Sequence, residues 1–313
     1  MKIIFFGSDD FAAVHLEHLL ASGQEVLCCV TGPDKPQGRG MKLTAGVIKQ
    51  MALKFHIPCL QPVTLKEKNI GDELRSYAAD LFVVVAYGRL LTQEILEIPS
   101  RACINVHGSL LPKYRGAAPV NWAILNGDKE TGVTIQQMAL ALDAGDIIAQ
   151  EKMAINENEN AAELRQRMSR VGAVLLSDTL AKYPSGEFPL VPQDEKGVTY
   201  ASKLTKEMGK IDWAQSALAV TNQVRGLQPW PGAYTFYNGK MLKITQARTI
   251  DGKNGNQRPG QVVDTGKDGF CVSCGEGVLL VKEVQPEAGR LMPALSFIAG
   301  HKIAPGSLLG VNT

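Results

Sequence analysis

Asn105 and His107 stand two residues apart at the end of an apolar run, Ala102-Cys103-Ile104, in the segment Asn105-Val106-His107-Gly108-Ser109-Leu110-Leu111-Pro112. If the run is a strand, alternate residues face the same side, so a carboxamide and an imidazole project together. The amide can donate to an oxygen that gains negative charge, and the imidazole can move a proton. Gly108 permits a sharp exit from the strand and Pro112 stiffens the loop beyond. The pair suits acyl-type transfer with no covalent enzyme intermediate.

A third residue could complete the set. Asp143, in Leu142-Asp143-Ala144-Gly145-Asp146, reads first as a turn residue between two strand-like runs. Its alternative is the carboxylate partner of His107, holding the ring and favouring its charged form. The other histidines carry no such context. His15 and His18 read as surface packing on a helix, and His56 and His301 have no supporting motif.

Positive charge is local. The chain is nearly balanced at +2, too mild to announce nucleic-acid binding, so patches must carry any such claim. The strongest is Pro33-Asp34-Lys35-Pro36-Gln37-Gly38-Arg39-Gly40-Met41-Lys42, where Lys35, Arg39 and Lys42 oppose Asp34 in a segment able to order on phosphates. A solvated surface loop is the plainer reading. Gln228-Pro229-Trp230-Pro231-Gly232 holds a tryptophan that reads as packing. Gly7-Ser8-Asp9-Asp10 follows the first strand but lacks the glycine spacing of a dinucleotide site. Its two acids would repel a pyrophosphate, so helix capping is the better role.

These residues need a sheet to position them. The strand readings are Lys2 to Phe6, Glu25 to Thr31, Pro58 to Leu60, Leu81 to Ala86 and Ala102 to Val106. They alternate with helical patterns from Ser8 or Asp9 to Leu20, Ala45 to Phe55, and Asn69 to Tyr77. The continuous apolar run Leu81-Phe82-Val83-Val84-Val85-Ala86 marks a strand covered on both faces. Together they predict an α/β domain with a mostly parallel, Rossmann-like sheet. Gly132 to Met138 and Ile147 to Ile155 add strands, and Ala161 to Lys182 a long helix. From Tyr183 to about Lys206 the prolines break periodicity. Beyond, Ile211 to Gly226 reads as a helix capped by Asp212, followed by short strands with turn signals, which suggest a small OB-like β-barrel. The expected boundaries are a catalytic domain at 1–188, a linker at 189–206 and a C-terminal domain at 207–313.

Composition sets limits. At 313 residues with 45% hydrophobic and 20% charged, the chain reads as a two-domain globular protein. No apolar run approaches the roughly 18 residues of a membrane span. The first residues read as a strand rather than a signal peptide. The six cysteines, mostly in apolar runs, read as thiols in a reducing cytoplasm. Cys271 and Cys274 lack the second pair that zinc spacing would require, so no metal is expected.

Taken together, Asn105, His107 and Asp143, the Ser109-Leu110-Leu111-Pro112 run and the loop Leu142 to Asp146 resemble the active site of the folate-dependent formyltransferases. Val83-Val84-Val85-Ala86-Tyr87-Gly88 is similar to that family's folate-contacting strand and loop. Pro33 to Lys42 resembles the loop that members acting on methionyl-tRNA insert against RNA. Lys210-Ile211-Asp212-Trp213 and Pro229-Trp230-Pro231 resemble the start of those members' C-terminal domain. The likeness runs over nearly the whole chain.

What the resemblance implies is transfer of a formyl group from 10-formyltetrahydrofolate, a co-substrate, to the α-amino group of initiator methionyl-tRNA, without a metal. It implies Asn105, His107 and Asp143 as catalytic residues. It assigns the folate to Tyr87, Gly88, Leu90, Ser109, Leu110, Leu111, Pro112 and Asp146, and the tRNA to Lys35, Arg39 and Lys42. Lys210, Arg225, Lys240, Lys243 and Lys282 are further phosphate candidates. A monomer in the cytoplasm is the default. The rivals are a formyltransferase acting on an amino sugar nucleotide or another small amine, a formyl-folate hydrolase with water as acceptor, and a non-catalytic binder. The basic loop leans against the first two, and the last has no use for Asn105 and His107 together.

Overall fold

The computed structural model describes residues 1–37, 42–67, 69–251 and 257–310. Two compact units emerge. One is built from Met1–Pro119, Thr131–Ala154 and Arg165–Ala201, the other from Val120–Glu130, Ile155–Leu164 and Ser202–Thr313.

The first unit begins β1 (Lys2–Gly7), α1 (Asp10–Ala21), β2 (Glu25–Val30), β3 (Lys35–Gln37), β4 (Lys42–Thr44), α2 (Val47–Lys54) and β5 (Cys59–Leu60). It continues α3 (Ile70–Ser76), β6 (Leu81–Val85), α4 (Gln93–Leu96), β7 (Ala102–His107) and β8 (Arg115–Gly116). After α5 (Pro119–Leu125), which falls almost wholly in the second unit, come β9 (Glu130–Gln137), β10 (Ile147–Ala154), α6 (Ala161–Lys182), whose first turn also belongs to the second unit, and β11 (Tyr200–Ala201). The central sheet runs β10-β9-β7-β6-β1-β2-β5. Its β7-β6-β1-β2-β5 portion is parallel, as the strand–helix alternation predicts. β9 then runs antiparallel to β7 and sets Asn105 opposite Gln136 and His107 opposite Thr134.

Burial explains the apolar strands. β6 is buried at every residue, and β1 is buried beyond Lys2. On one face Phe6 packs on Phe82 and, edge-on, on Tyr87, with Ile4, Leu74 and Ile95 in the same cluster. Each such side chain contributes roughly 1.5–3 kcal/mol on burial. α1 starts at Asp9, whose carboxylate accepts from the Ala12 amide at 3.2 Å, the capping role expected of it. Its inward stripe is Phe11, Ala12, His15, Leu16 and Leu19. His15 is therefore core rather than surface, since the helical stripe carries it inward. Burial holds its imidazole near a pKa of about 4.

In the second unit α7 (Ala217–Gly226) starts at Ser216, whose hydroxyl accepts from the Ala219 amide. The predicted start at Ile211 is six residues early. Asp212 instead closes a turn, accepting from the Ala214 amide and the Gln215 side chain. Trp213 is buried, its indole donating to Thr235 at 3.0 Å. Trp230, expected to pack, is 49% exposed.

The strands are β12 (Ala233–Tyr237), β13 (Lys240–Ile250), β14 (Val262–Gly266), β15 (Gly269–Ser273), β16 (Val278–Pro286) and β17 (Met292–Pro293), followed by α8 (Ala294–His301). They form an antiparallel sheet in the order β12-β13-β16-β15-β14, with β17 on β16. Among the described residues no ladder closes this sheet into a barrel. Arg225 turns inward, its guanidinium donating to Asn222 Oδ1 at 2.9 and 3.1 Å and to the Asn156 carbonyl, which removes it from the phosphate candidates. No helix among the described residues is long and apolar enough to cross a membrane.

Candidate active site

The site lies at the carboxyl end of β7. Residues 102–104 and 106–107 are buried while Asn105 is half-buried. His107 is 6% exposed. Its Nε2 lies 2.9 Å from the Tyr114 carbonyl oxygen. A carbonyl only accepts, so Nε2 carries a proton there. Nδ1 lies 3.6 Å from Asp143 Oδ1, an ion-pair distance rather than a hydrogen bond. Each ring nitrogen thus faces an oxygen. The Asn105 carboxamide has no hydrogen-bond partner among the described residues, so its donors remain available at the strand's open face.

Asp143 reaches His107 from the loop between β9 and β10, and the fold fixes it firmly. Its Oδ2 accepts from the Gly116 amide at 2.9 Å and its Oδ1 from Gln136 Nε2 at 3.1 Å. Its backbone is left-handed, φ 49°, a conformation aspartate tolerates at a cost of about 1 kcal/mol. Gly145 has no room for a side chain, because a Cβ there would lie 1.7 Å from the Gln137 carbonyl oxygen. Gly116, at φ 125°, would press a Cβ to 2.6 Å from the Ala201 carbonyl.

The loop after β7 is pinned from below. Thr134 donates to the Ser109 carbonyl at 2.6 Å, and its oxygen accepts from the Leu111 amide and from Gln150 Nε2. Gln150 also donates to the Leu111 carbonyl. Ser109 is fully buried, its hydroxyl donating to the Lys113 carbonyl at 2.6 Å. Leu111 is 3% exposed, whereas Leu110 and Pro112 are half-buried. Tyr87 is buried in the sheet-face cluster, and its carbonyl accepts from the Ser8 hydroxyl. Gly88 follows at φ 76° and Leu90 is 74% exposed. Asp146 is half-buried, with its carbonyl accepting from the Gln137 amide. Of the residues expected to meet folate, only Gly88 and Leu90 are exposed, while Ser109, Leu111 and Tyr87 are enclosed.

The basic segment is a hairpin, absent from the strand assignments made on sequence. β3 and β4 pair antiparallel, with Lys35 opposite Thr44 and Gln37 opposite Lys42. Lys35 is exposed. Arg39 lies outside the described residues. Asp34, the one acid of the segment, accepts from Lys49 Nζ and Gln61 Nε2, both at 2.7 Å. These bonds hold its carboxyl below the usual carboxylate range, and Lys49 offsets its charge.

Sequence reasoning missed Gln136, the Tyr114 carbonyl and Gln193, and it takes the Lys113-Tyr114-Arg115-Gly116 run only as added positive charge beyond the loop, whereas Arg115 is buried against Gln193. Gln193 is buried and donates through Nε2 to the carbonyls of Asp143 at 2.9 Å and Gly145 at 2.7 Å. Its Oε1 accepts from Arg115 Nε and Nη2 at 3.0 and 2.9 Å. The only signal was a glutamine within an apolar-proline stretch, Leu190-Val191-Pro192-Gln193. Among the described residues no group of three His, Cys, Asp or Glu side chains could hold a metal ion.

Residues 1–180 match the formyl transferase family model, and residues 203–302 match the model of the formyl transferase C-terminal domain. A methionyl-tRNA formyltransferase of Moorella thermoacetica is 46% identical over 310 residues, 99% of this chain and 99% of that one. Among solved structures, HypX of Aquifex aeolicus in complex with tetrahydrofolic acid shares the fold with a TM-score of 0.63 at 18% identity over 95% of this chain. The match takes in 47% of HypX, so this chain spans about half of that protein. An N-formyltransferase from Helicobacter canadensis in complex with folinic acid and dTDP-3-aminofucose has a TM-score of 0.66 at 20% identity, over 92% of this chain and 100% of that one. At these two identities the likeness is one of fold.

Proposed function

This chain belongs to the methionyl-tRNA formyltransferase family, and we propose that His107, Asp143 and Asn105 carry the formyl group of 10-formyltetrahydrofolate to the α-amino group of initiator methionyl-tRNA. The observation that carries this reading is an imidazole with an oxygen facing each nitrogen, beside an Asn105 carboxamide that has no hydrogen-bond partner among the described residues. A structural histidine would need no such neighbour.

An α-amino group has an ordinary pKa near 8, so part of it is protonated at neutral pH and a proton must leave before it attacks. With Nε2 committed to the Tyr114 carbonyl, the ring's lone pair is on Nδ1. The ammonium proton leaves to water, giving the neutral amine; as that amine bonds to the formyl carbon Nδ1 takes a second proton from it, and Asp143 Oδ1, 3.6 Å away, stabilises the imidazolium that results. Asn105 donates to the oxygen that gains charge as the formyl carbon becomes tetrahedral, an effect of about 2.7–4 kcal/mol in comparable oxyanion holes. His107 then returns its proton to the departing nitrogen.

The folate supplies the formyl group on its N10. The residues present fit such a ligand through main chain and apolar surface. Ala86 and Gly88 turn the chain at positive φ after β6, and Leu90, Leu140 and Leu142 are 74%, 61% and 52% exposed, apolar surface suited to an aromatic ring system. The carboxyl ends of parallel strands are the usual ligand crevice of such sheets. Ser109 and Leu111 contribute by shaping the loop that borders it.

Lys35 and Lys42 of the basic hairpin, together with Arg39, meet the acceptor end of the tRNA, and the C-terminal sheet holds a further part of the RNA through Lys210, Lys240, Lys243 and Lys282. We read that sheet as OB-like, since the register shifts in β13 against β16 near Gln246 are of the kind that bend strands toward closure. The enzyme works as a monomer in the cytoplasm on this reading. The test mixes purified protein, 10-formyltetrahydrofolate and charged initiator tRNA. Formyl-methionyl-tRNA is the expected product, with free methionine and nucleotide amino sugars left unformylated. Transfer to the amino sugar alone, or hydrolysis of the folate alone, overturns it.

A further inference from the structure

The two oxygens that face His107 are both held by one segment, residues 191–201, in which sequence periodicity found no element. On the Nε2 side the acceptor is the Tyr114 carbonyl. The Tyr114 amide donates to Thr199 Oγ1 at 2.9 Å, and the next amide, of Arg115, donates to the Thr199 carbonyl at 2.9 Å. On the Nδ1 side the partner is Asp143. Its backbone carbonyl accepts from Gln193. The Gly116 amide that binds its carboxylate sits in β8, paired in parallel register with Ala201 of β11. The segment is itself tied down at its start, where Val191 and Ile147 exchange backbone hydrogen bonds at 2.8 and 2.9 Å.

The Gln193 carboxamide has one workable orientation. Its oxygen must face the Arg115 guanidinium, which only donates, and its nitrogen must face the carbonyls of Asp143 and Gly145, which only accept. Gln136 is fixed in the same way, since only its amide nitrogen can face the Asp143 carboxylate. A chain of oriented amides thus runs from a buried arginine to the carboxylate. Displacing a reacting group by about 1 Å costs on the order of 100-fold in rate, so whatever holds both faces of the ring sets its usefulness.

We propose that residues 191–201 form a positioning strap, with Gln193 and Thr199 as positioning residues that align His107 through Asp143 and Tyr114 respectively. The proposal rests on the reading of His107 and Asp143 as the proton-handling pair. The contacts of the strap described above are with the residues that flank His107, so its loss is expected to change turnover and proton handling more than affinity.

The experiment uses the full chain with 10-formyltetrahydrofolate and charged initiator tRNA, comparing Gln193→Ala, Gln193→Glu, Thr199→Val, Thr199→Ser and His107→Ala. Gln193→Glu keeps an acceptor for Arg115 but loses the donors to the Asp143 loop. It is expected to fall as far as Gln193→Ala, on the order of 10- to 100-fold in kcat, with KM for tRNA and Kd for tetrahydrofolate within about twofold. Thr199→Val should lose kcat and Thr199→Ser should restore it, because only the hydroxyl oxygen is used. Thr199 is exposed, so this pair keeps the test sound if the buried Gln193 variants fail to fold. The pH–rate limb that His107→Ala abolishes should shift in Thr199→Val. If His107→Ala collapses the rate while folded Gln193 and Thr199 variants keep wild-type kcat and pH profile, the strap is overturned. If Thr199→Val and Thr199→Ser fall equally, the hydroxyl's role is overturned. If His107→Ala itself is fully active, the catalytic reading fails and not merely the strap.

Discussion

Two regions of the first unit each bury a histidine, and they bury it to opposite ends. His15 lies on α1, fully buried beneath α6, with Nδ1 at 2.8 Å from the Phe11 carbonyl and Nε2 without a partner among the described residues. A Cβ on Gly172 of α6 would lie 2.7 Å from that Nε2. His107 is almost as buried, yet oxygens face both of its nitrogens. Burial alone makes a neutral, inert imidazole. Burial with an oxygen facing each nitrogen leaves the ring oriented on both sides, the arrangement that the proposed proton transfer needs. The difference lies in what each nitrogen faces, which solvent exposure does not record.

The largest effect should come from breaking the equipped site. His107→Ala should lower kcat by about 10²–10⁴, the usual worth of a positioned proton-transfer group, in a single-turnover formylation assay. Asp143→Asn should fall comparably while folding normally, because asparagine also tolerates the left-handed backbone at φ 49°. A normal rate for Asp143→Asn would make His107 no better equipped than His15. Asn105→Ala comes next, at about 10²–10³ in kcat with KM little changed, read from steady-state kinetics. An effect confined to KM would assign Asn105 to binding instead.

His15 supplies the reverse test, on stability. The unfolded imidazole takes a proton near 6.5 and the folded one only near about 4. Between these values the unfolded state binds more protons, so stability falls as pH drops from about 6.5 to about 4 and is unaffected by this group above that window. The loss is roughly 3 kcal/mol across the window. Urea midpoints at pH 7 and pH 4.5 should show it, and His15→Leu should reduce it. An unchanged pH dependence in that variant would mean that other groups set the acid limit. The smallest effect is expected from Lys35→Ala on the basic hairpin. It should raise KM for tRNA a fewfold, with a shallower salt dependence and unaltered affinity for folate. Loss of folate binding would place the hairpin elsewhere in the mechanism.

The same contrast explains what the sequence could and could not reveal. Asn105 and His107 were legible because two residues on one strand share a face by geometry alone, and the apolar run before them marks the strand. The parallel sheet was legible from the alternation of β1, α1, β2 and their successors. His15 was misjudged because one histidine in an otherwise apolar helical stripe has the same spacing whether it ends inside or out. The start of α7 was placed too early because Asp212 has the chemistry of a cap but serves a turn, while Trp213 enters the core. Gln193 and Thr199 lay beyond reach for a different reason. Their partners are 50 and 85 residues away in sequence, and no local period encodes such a meeting. The β3–β4 hairpin was missed because proline and glycine in the segment read as loop.

Gly145 has a consequence for redesign. Because a Cβ on Gly145 would collide with the Gln137 carbonyl, the turn carrying Asp143 has no tolerance for a side chain at that position, whatever the side chain's chemistry. A library seeking altered formyl donors would do better to hold residues 143–146 constant and vary the exposed leucines at 90, 140 and 142. There, shape can drift while the geometry around His107 stays where it is.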